Sequence, residues 1–179
     1  MEADRILRGR ILEMVPQRHP FRFIGEILEL DEEHIVGIYR FRCDEYFYRG
    51  HFPGLPVTPG VILIETMAQT GVVAFGLYLN LLRGKKEKQI EDPVTLFTLA
   101  ETVEFSGVVH PGELVRITGR KVYFRGNQIK VACVMTRPDG EEVCSGILAG
   151  KGIPWEKFME QKERGSAPII AERVKEETG

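Results

Sequence analysis

The sequence predicts an α+β domain in which an antiparallel sheet of about six strands wraps around one long apolar helix. Three observations lead there. A run from Gly60 to Leu82 is apolar on nearly every side, interrupted chiefly by Glu65, Thr66, Gln69, Thr70 and Tyr78, and a helix of that kind has to be covered on most of its faces. Two short runs of β-branched and aromatic residues precede it and four follow it. The later runs are separated by compact turn signals, Pro111-Gly112, Arg125-Gly126-Asn127 and Pro138-Asp139-Gly140, the last two short enough for hairpins.

Each element has its own justification. Between Asp4 and Met14, the residues Ile6, Leu7, Ile11, Leu12 and Met14 suit a short amphipathic helix stopped near Pro16. Phe23 to Leu30 and His34 to Phe41 read as a strand pair joined by the acidic turn Asp31-Glu32-Glu33. Gly50 to Gly60 carries three glycines and three prolines, so a shaped loop is expected there. The apolar helix follows at once and closes in Arg83-Gly84-Lys85-Lys86, where basic residues and a glycine supply the usual stop chemistry. Strands are then expected at about Val94 to Phe105, Leu114 to Phe124, Ile129 to Arg137 and Glu141 to Lys151. Residues 1–154 are read as a single domain with an N-terminal helix. Residues 155–179, charged but containing Trp155, Phe158 and Met159, are read as one short helix and a mobile tail. An open antiparallel sheet frequently continues through a partner's edge strand, which makes a homodimer the expected assembly.

Composition removes several function classes. A formal net charge of -2, with acidic and basic residues scattered through 179 positions, gives no field that would favour nucleic acid. Cys43, Cys133 and Cys144 have no metal-site or disulfide spacing, and all three are expected as buried small hydrophobes. The start of the chain has no signal-peptide pattern, so a cytoplasmic location is expected. Glu65 and Gln69 lie within the apolar run and argue for a helix buried in protein, not a membrane span.

Two residues carry the chemistry. His51 stands in Gly50-His51-Phe52-Pro53-Gly54, a loop that can present an imidazole suited to general-base work. Glu65 stands in Pro59-Gly60-Val61-Ile62-Leu63-Ile64-Glu65-Thr66-Met67-Ala68-Gln69, where a lone carboxyl on a dry helix face costs free energy and is pushed toward its protonated form. The pair points to acid–base chemistry that needs no cofactor and no metal. Gln69, one turn on, is placed either to orient Glu65 or to make a structural hydrogen bond. The other histidines, His19, His34 and His110, are read as structural.

These two motifs, with Arg18-His19-Pro20-Phe21 upstream and Val109-His110-Pro111-Gly112-Glu113 downstream, closely resemble the 3-hydroxyacyl-[acyl-carrier-protein] dehydratases of the hot-dog fold, the FabA/FabZ group. The resemblance runs from about Gln17 to Gly150. It implies that His51 removes the α-proton of a 3-hydroxyacyl thioester and that Glu65 delivers a proton to the departing hydroxyl. It implies substrate binding by Phe52 and by the backbone of Gly60 and Val61, whose amides at a helix start would stabilise an enolate-like oxygen. Phe52, Val61, Leu63 and Phe97 become candidates for an acyl tunnel. It further implies that each site takes His51 and Glu65 from different subunits of a homodimer, with trimer-of-dimers hexamers among relatives. The partner implied is acyl carrier protein, with coenzyme A thioesters as the other possible carrier. Glutamate at position 65 resembles the branch that dehydrates without isomerising. One departure concerns the carrier: the strand Glu101-Thr102-Val103-Glu104-Phe105-Ser106 lacks the basic residues many relatives have there, and Arg40, Arg42, Arg49, Arg83, Lys85 and Lys86 are the other candidates for attracting an acidic partner. The alternatives are a hot-dog acyl thioesterase, which generally lacks the His-Phe-Pro-Gly loop, and a non-catalytic acyl-binding subunit, expected to have lost His51 or Glu65.

Overall fold

The computed structural model describes residues 2–87, 93–154 and 160. Helix α1 spans Arg5–Met14 and starts where Asp4 caps it, its carboxylate accepting the Leu7 amide at 2.8 Å. Ile11 is its fully buried residue, and the helix packs against β1 and the end of the central helix. Strands β1 (Glu26–Leu30) and β2 (His34–Arg40) follow, joined by a turn in which Asp31 accepts from the Glu33 and His34 amides. The first strand begins later than Phe23 because the Phe23 amide bonds a side chain from the central helix instead of a strand. A 3₁₀ turn at Tyr46–Arg49, which the sequence reading lacks, leads into the irregular Gly50–Pro59 segment.

The central helix is continuous in three parts: α2 (Gly60–Ala68), a π-helical stretch (Gln69–Ala74) and α3 (Phe75–Glu87). Strands β3 (Pro93–Phe105), β4 (Leu114–Arg125), β5 (Gln128–Thr136) and β6 (Glu142–Pro154) complete a six-stranded antiparallel sheet of order β1-β2-β4-β5-β6-β3. The strand count, antiparallel pairing and enclosed helix agree with the sequence expectation. The expected helix and tail of 155–179 lie outside the described residues, apart from 160.

Alternation along β5 explains how the helix is held. Ile129, Val131, Cys133 and Met135 are buried beneath it, and their neighbours face outward. The approach is close because glycines stand at the contact: a Cβ on Gly71 would lie 2.5 Å from the Cys133 sulfur, and one on Gly150 would collide with Val72. The stretch Gly60–Gly84 is long and apolar enough to cross a membrane, yet 78% of its apolar window is buried inside the fold, as a core helix requires. Cys133 and Cys144 are buried as expected, and burial pushes the Cys133 thiol up to about 12. Cys43 corrects the expectation for all three: it is exposed, because it follows β2 at the point where the chain leaves the sheet for the 3₁₀ turn.

Candidate active site

The loop around His51 is built from its own backbone. The Val57 amide donates to the His51 carbonyl at 3.0 Å, and the His51 ring Nδ1 lies 3.0 Å from the Val57 carbonyl. Phe52 and Leu55 exchange bonds across the intervening turn, and the His51 amide bonds the Phe47 carbonyl. A carbonyl only accepts, so Nδ1 carries the proton, and in the neutral ring Nε2 presents a lone pair. The Phe52 ring stacks on the imidazole with centroids 4.1 Å apart. The half-buried imidazole is thus fixed in tautomer and orientation before any ligand arrives.

One level further out, the Thr58 amide donates to the Val109 carbonyl at 2.8 Å, and the Thr58 hydroxyl pairs with the Tyr48 hydroxyl at 2.7 Å. Burial pushes the Tyr48 phenol up to about 12, so it stays neutral in this pair. Tyr48, Thr58 and Val109 were not legible in the sequence as parts of the site. Their signal is the register in which the downstream loop lies against Val57-Thr58, and that is a tertiary relation.

Glu65 belongs to a second network. Gln69, fully buried, donates through Nε2 to Glu65 Oε1 and to the Phe21 carbonyl, each at 2.9 Å, and accepts the Phe23 amide on Oε1 at 2.6 Å. The reverse amide orientation would set oxygen against carbonyl and nitrogen against amide, so the network fixes it. Of the two roles open to Gln69, the structure shows both. Burial holds the Glu65 carboxyl above its usual range, and the bond from Gln69 offsets part of that rise. The carboxyl therefore keeps a proton to higher pH than a surface glutamate does.

Gly60 and Val61 sit at the helix start. Ile62 and Leu63 both donate to the Pro59 carbonyl, at 2.9 and 3.2 Å, which leaves the Gly60 and Val61 amides upstream of the first helical bond, and Pro59 makes no side-chain cap. Gly60 is there for space as well: a Cβ would come within 3.0 Å of the Phe105 ring. Phe52, Val61 and Phe97 are exposed, at 54%, 70% and 42%, whereas Leu63 is core. Within one chain His51 and Glu65 make no hydrogen bond to each other and sit in separate networks. Of the basic residues considered for an acidic partner, Arg42 is engaged by Asp44, Glu45 and His19, and Arg40 by the Gly112 carbonyl. Among the described residues no His, Cys, Asp and Glu group could hold a metal.

Residues 15–146 match the FabA-like domain family. The chain belongs to that family. It is 35% identical over 140 residues to the 3-hydroxyacyl-[acyl-carrier-protein] dehydratase FabZ of Caldicellulosiruptor bescii, covering 78% of this chain and 93% of that one. It is 37% identical over 139 residues to the FabZ of Roseiflexus castenholzii, covering 77% and 90%. Among solved structures, a chain of the dehydratase heterocomplex ApeI:P from Xenorhabdus doucetiae superposes with TM-score 0.66 at 14% identity, covering 85% of this chain and 96% of that one, a likeness of fold. The hot-dog fold expected from the sequence motifs is the fold observed.

Proposed function

We propose that the protein is a dehydratase of (3R)-3-hydroxyacyl thioesters, presented on acyl carrier protein, which forms trans-2-enoyl thioesters in cytoplasmic fatty-acid or related lipid synthesis. The observation that carries this reading is the division of roles between two carefully held groups. His51 has Nδ1–H committed to the Val57 carbonyl and Nε2 open as a base. Glu65 has its protonated form favoured by burial, as a proton donor to a leaving hydroxyl needs. Nε2 takes the α-proton, the thioester oxygen gathers charge at the Gly60 and Val61 amides, and the Glu65 proton leaves with the 3-hydroxyl as water. The proton on His51 then returns to Glu65 through solvent, which completes the cycle.

As the family resemblance implies, we take the working site to combine His51 of one protomer with Glu65 of its partner in a homodimer. Phe52, Val61 and Phe97, apolar and exposed on the single chain, are suited to lining the acyl path in that assembly. A thioesterase would use an ionised carboxylate to activate water or attack the carbonyl, and the raised Glu65 runs against it.

The test is hydration and dehydration of a short 3-hydroxyacyl thioester and its trans-2-enoyl partner, on acyl carrier protein and on coenzyme A, with wild type, His51→Ala and Glu65→Ala. Interconversion abolished in both folded, dimeric variants is the expected result. A near-wild-type rate in either variant would refute the assigned roles, and the ratio of rates on the two carriers reads the preference.

A further inference from the structure

The Val57–Thr58 peptide group faces two ways. Its carbonyl receives the His51 Nδ1 proton at 3.0 Å, and its N–H donates to the Val109 carbonyl at 2.8 Å. A shift of the 106–109 segment is therefore passed to the imidazole through one rigid, planar peptide. Phe105, at the end of β3, lies against Gly60, so the same stretch of chain also supports the helix start.

This stretch is irregular, and it is tied to the rest of the fold beyond the Thr58 bond and the buried Val109 side chain. Ser106 and Gly107 donate to the Val143 carbonyl at 3.0 and 3.2 Å. A further hold is Arg137, just beyond β5. Its guanidinium donates through Nη2 to the Val108 carbonyl, lies 3.4 Å from Glu113 through Nε, and pairs with Glu141 at 2.7 Å through Nη1. The side chain is 21% exposed, and a Cβ on Gly107 would stand 3.3 Å from Nη1 and 2.8 Å from Val143, so the glycine makes room for the guanidinium. Two directions of hydrogen bonding and an ion pair from one planar fork fix a position that a single point charge does not.

We infer that Arg137 is a positioning residue for the reaction: by donating to the Val108 carbonyl it holds the Val109 carbonyl under the Val57–Thr58 peptide, and so holds His51. The inference rests on His51 being the base. It is consistent with where the basic charge sits in this chain, since residues 101–106 carry no Lys or Arg and the guanidinium beside the following loop arrives from β5.

The test compares Arg137→Ala, Arg137→Lys and Glu141→Gln by steady-state kinetics, and by nitrogen-15 correlation spectra of the histidine side chains, with the His51 signals assigned through His51→Gln. Arg137→Ala is expected to lose at least tenfold in kcat with less than a twofold change in KM, and its neutral His51 is expected to change from the Nδ1–H tautomer to a mixture. Glu141→Gln, which removes only the outer ion pair, is expected to keep both the rate and the tautomer. Should Arg137→Ala fail to fold, Arg137→Lys carries the test, because it keeps the charge without the fork and is expected to show the same kcat-selective loss in smaller degree. A folded variant at Arg137 with the wild-type rate, or one whose loss tracks only a lowered melting temperature while His51 keeps its tautomer, overturns the inference. If wild type fails to turn over the thioester, the dehydratase reading falls, and the tautomer still decides whether Arg137 holds His51.

Discussion

Replacing Gln69 by leucine removes three hydrogen bonds from a fully buried position at nearly constant volume. The losses are unequal. The Phe23 amide is left without its partner inside the protein, because Phe23 is 0% exposed and its N–H has nowhere else to turn. An unpaired buried amide costs about 1–3 kcal/mol. The Phe21 carbonyl belongs to an exposed residue and Glu65 is half-buried, so both regain some hydration and contribute about 1 kcal/mol between them. Leucine restores part of the loss through its apolar surface. The balance is a destabilisation of about 2–3 kcal/mol, which for a chain of this size lowers the melting temperature by roughly 4–12 °C. The catalytic consequence has a definite sign. The bond from Gln69 lowers the Glu65 pKa while burial raises it, so removing the bond and keeping the burial moves the carboxyl further up. The limb of the pH–rate profile on which activity falls as Glu65 ionises should move to higher pH. Urea unfolding and the pH dependence of kcat/KM on one preparation measure both effects. A loss of stability under 1 kcal/mol, or a limb that moves to lower pH, would refute the account of Gln69 as the anchor of Glu65.

Two further predictions follow from the same geometry. Because the folded-state pKa of Glu65 lies above its ordinary value of 4.5, the folded protein binds more protons than the unfolded chain between those two values, and stability falls as pH rises through that window. Glu65→Gln removes this penalty: its stability relative to wild type should be lowest below the ordinary carboxylate range, rise through the window and then stay level toward neutral pH, and a pH-independent difference in urea unfolding would contradict the burial argument. Gly71→Ala places a methyl group 2.5 Å from the sulfur of a fully buried cysteine and should cost about 1–3 kcal/mol, largely recovered in the double variant with Cys133→Ala; a thermal melt in which the single variant is neutral would show that the helix does not sit so close to the sheet.

The order of elements and the strand pairing partners nearest in sequence could be read from the chain alone, and His51 and Glu65 could be singled out there as candidates, because each rests on local chemistry. The apolar run from Gly60 has to be enclosed, turn residues such as Arg125-Gly126-Asn127 set β4 against β5, and the motifs around His51 and Glu65 mark them as candidates without any tertiary information. What only the tertiary structure decided are relations between residues far apart in sequence. That Gln69 ties Glu65 to Phe21 and Phe23, across 46 and more positions, depends on how the segment before β1 crosses the helix. The exposure of Cys43, the widened turn at Gln69–Ala74 and the path from Arg137 through Val108 and Val109 to Thr58 likewise follow from packing. Side-chain type and spacing report what a residue is able to do; which peptide group or guanidinium stands opposite it is settled when sheet and helix close on each other, and no local pattern records that distance.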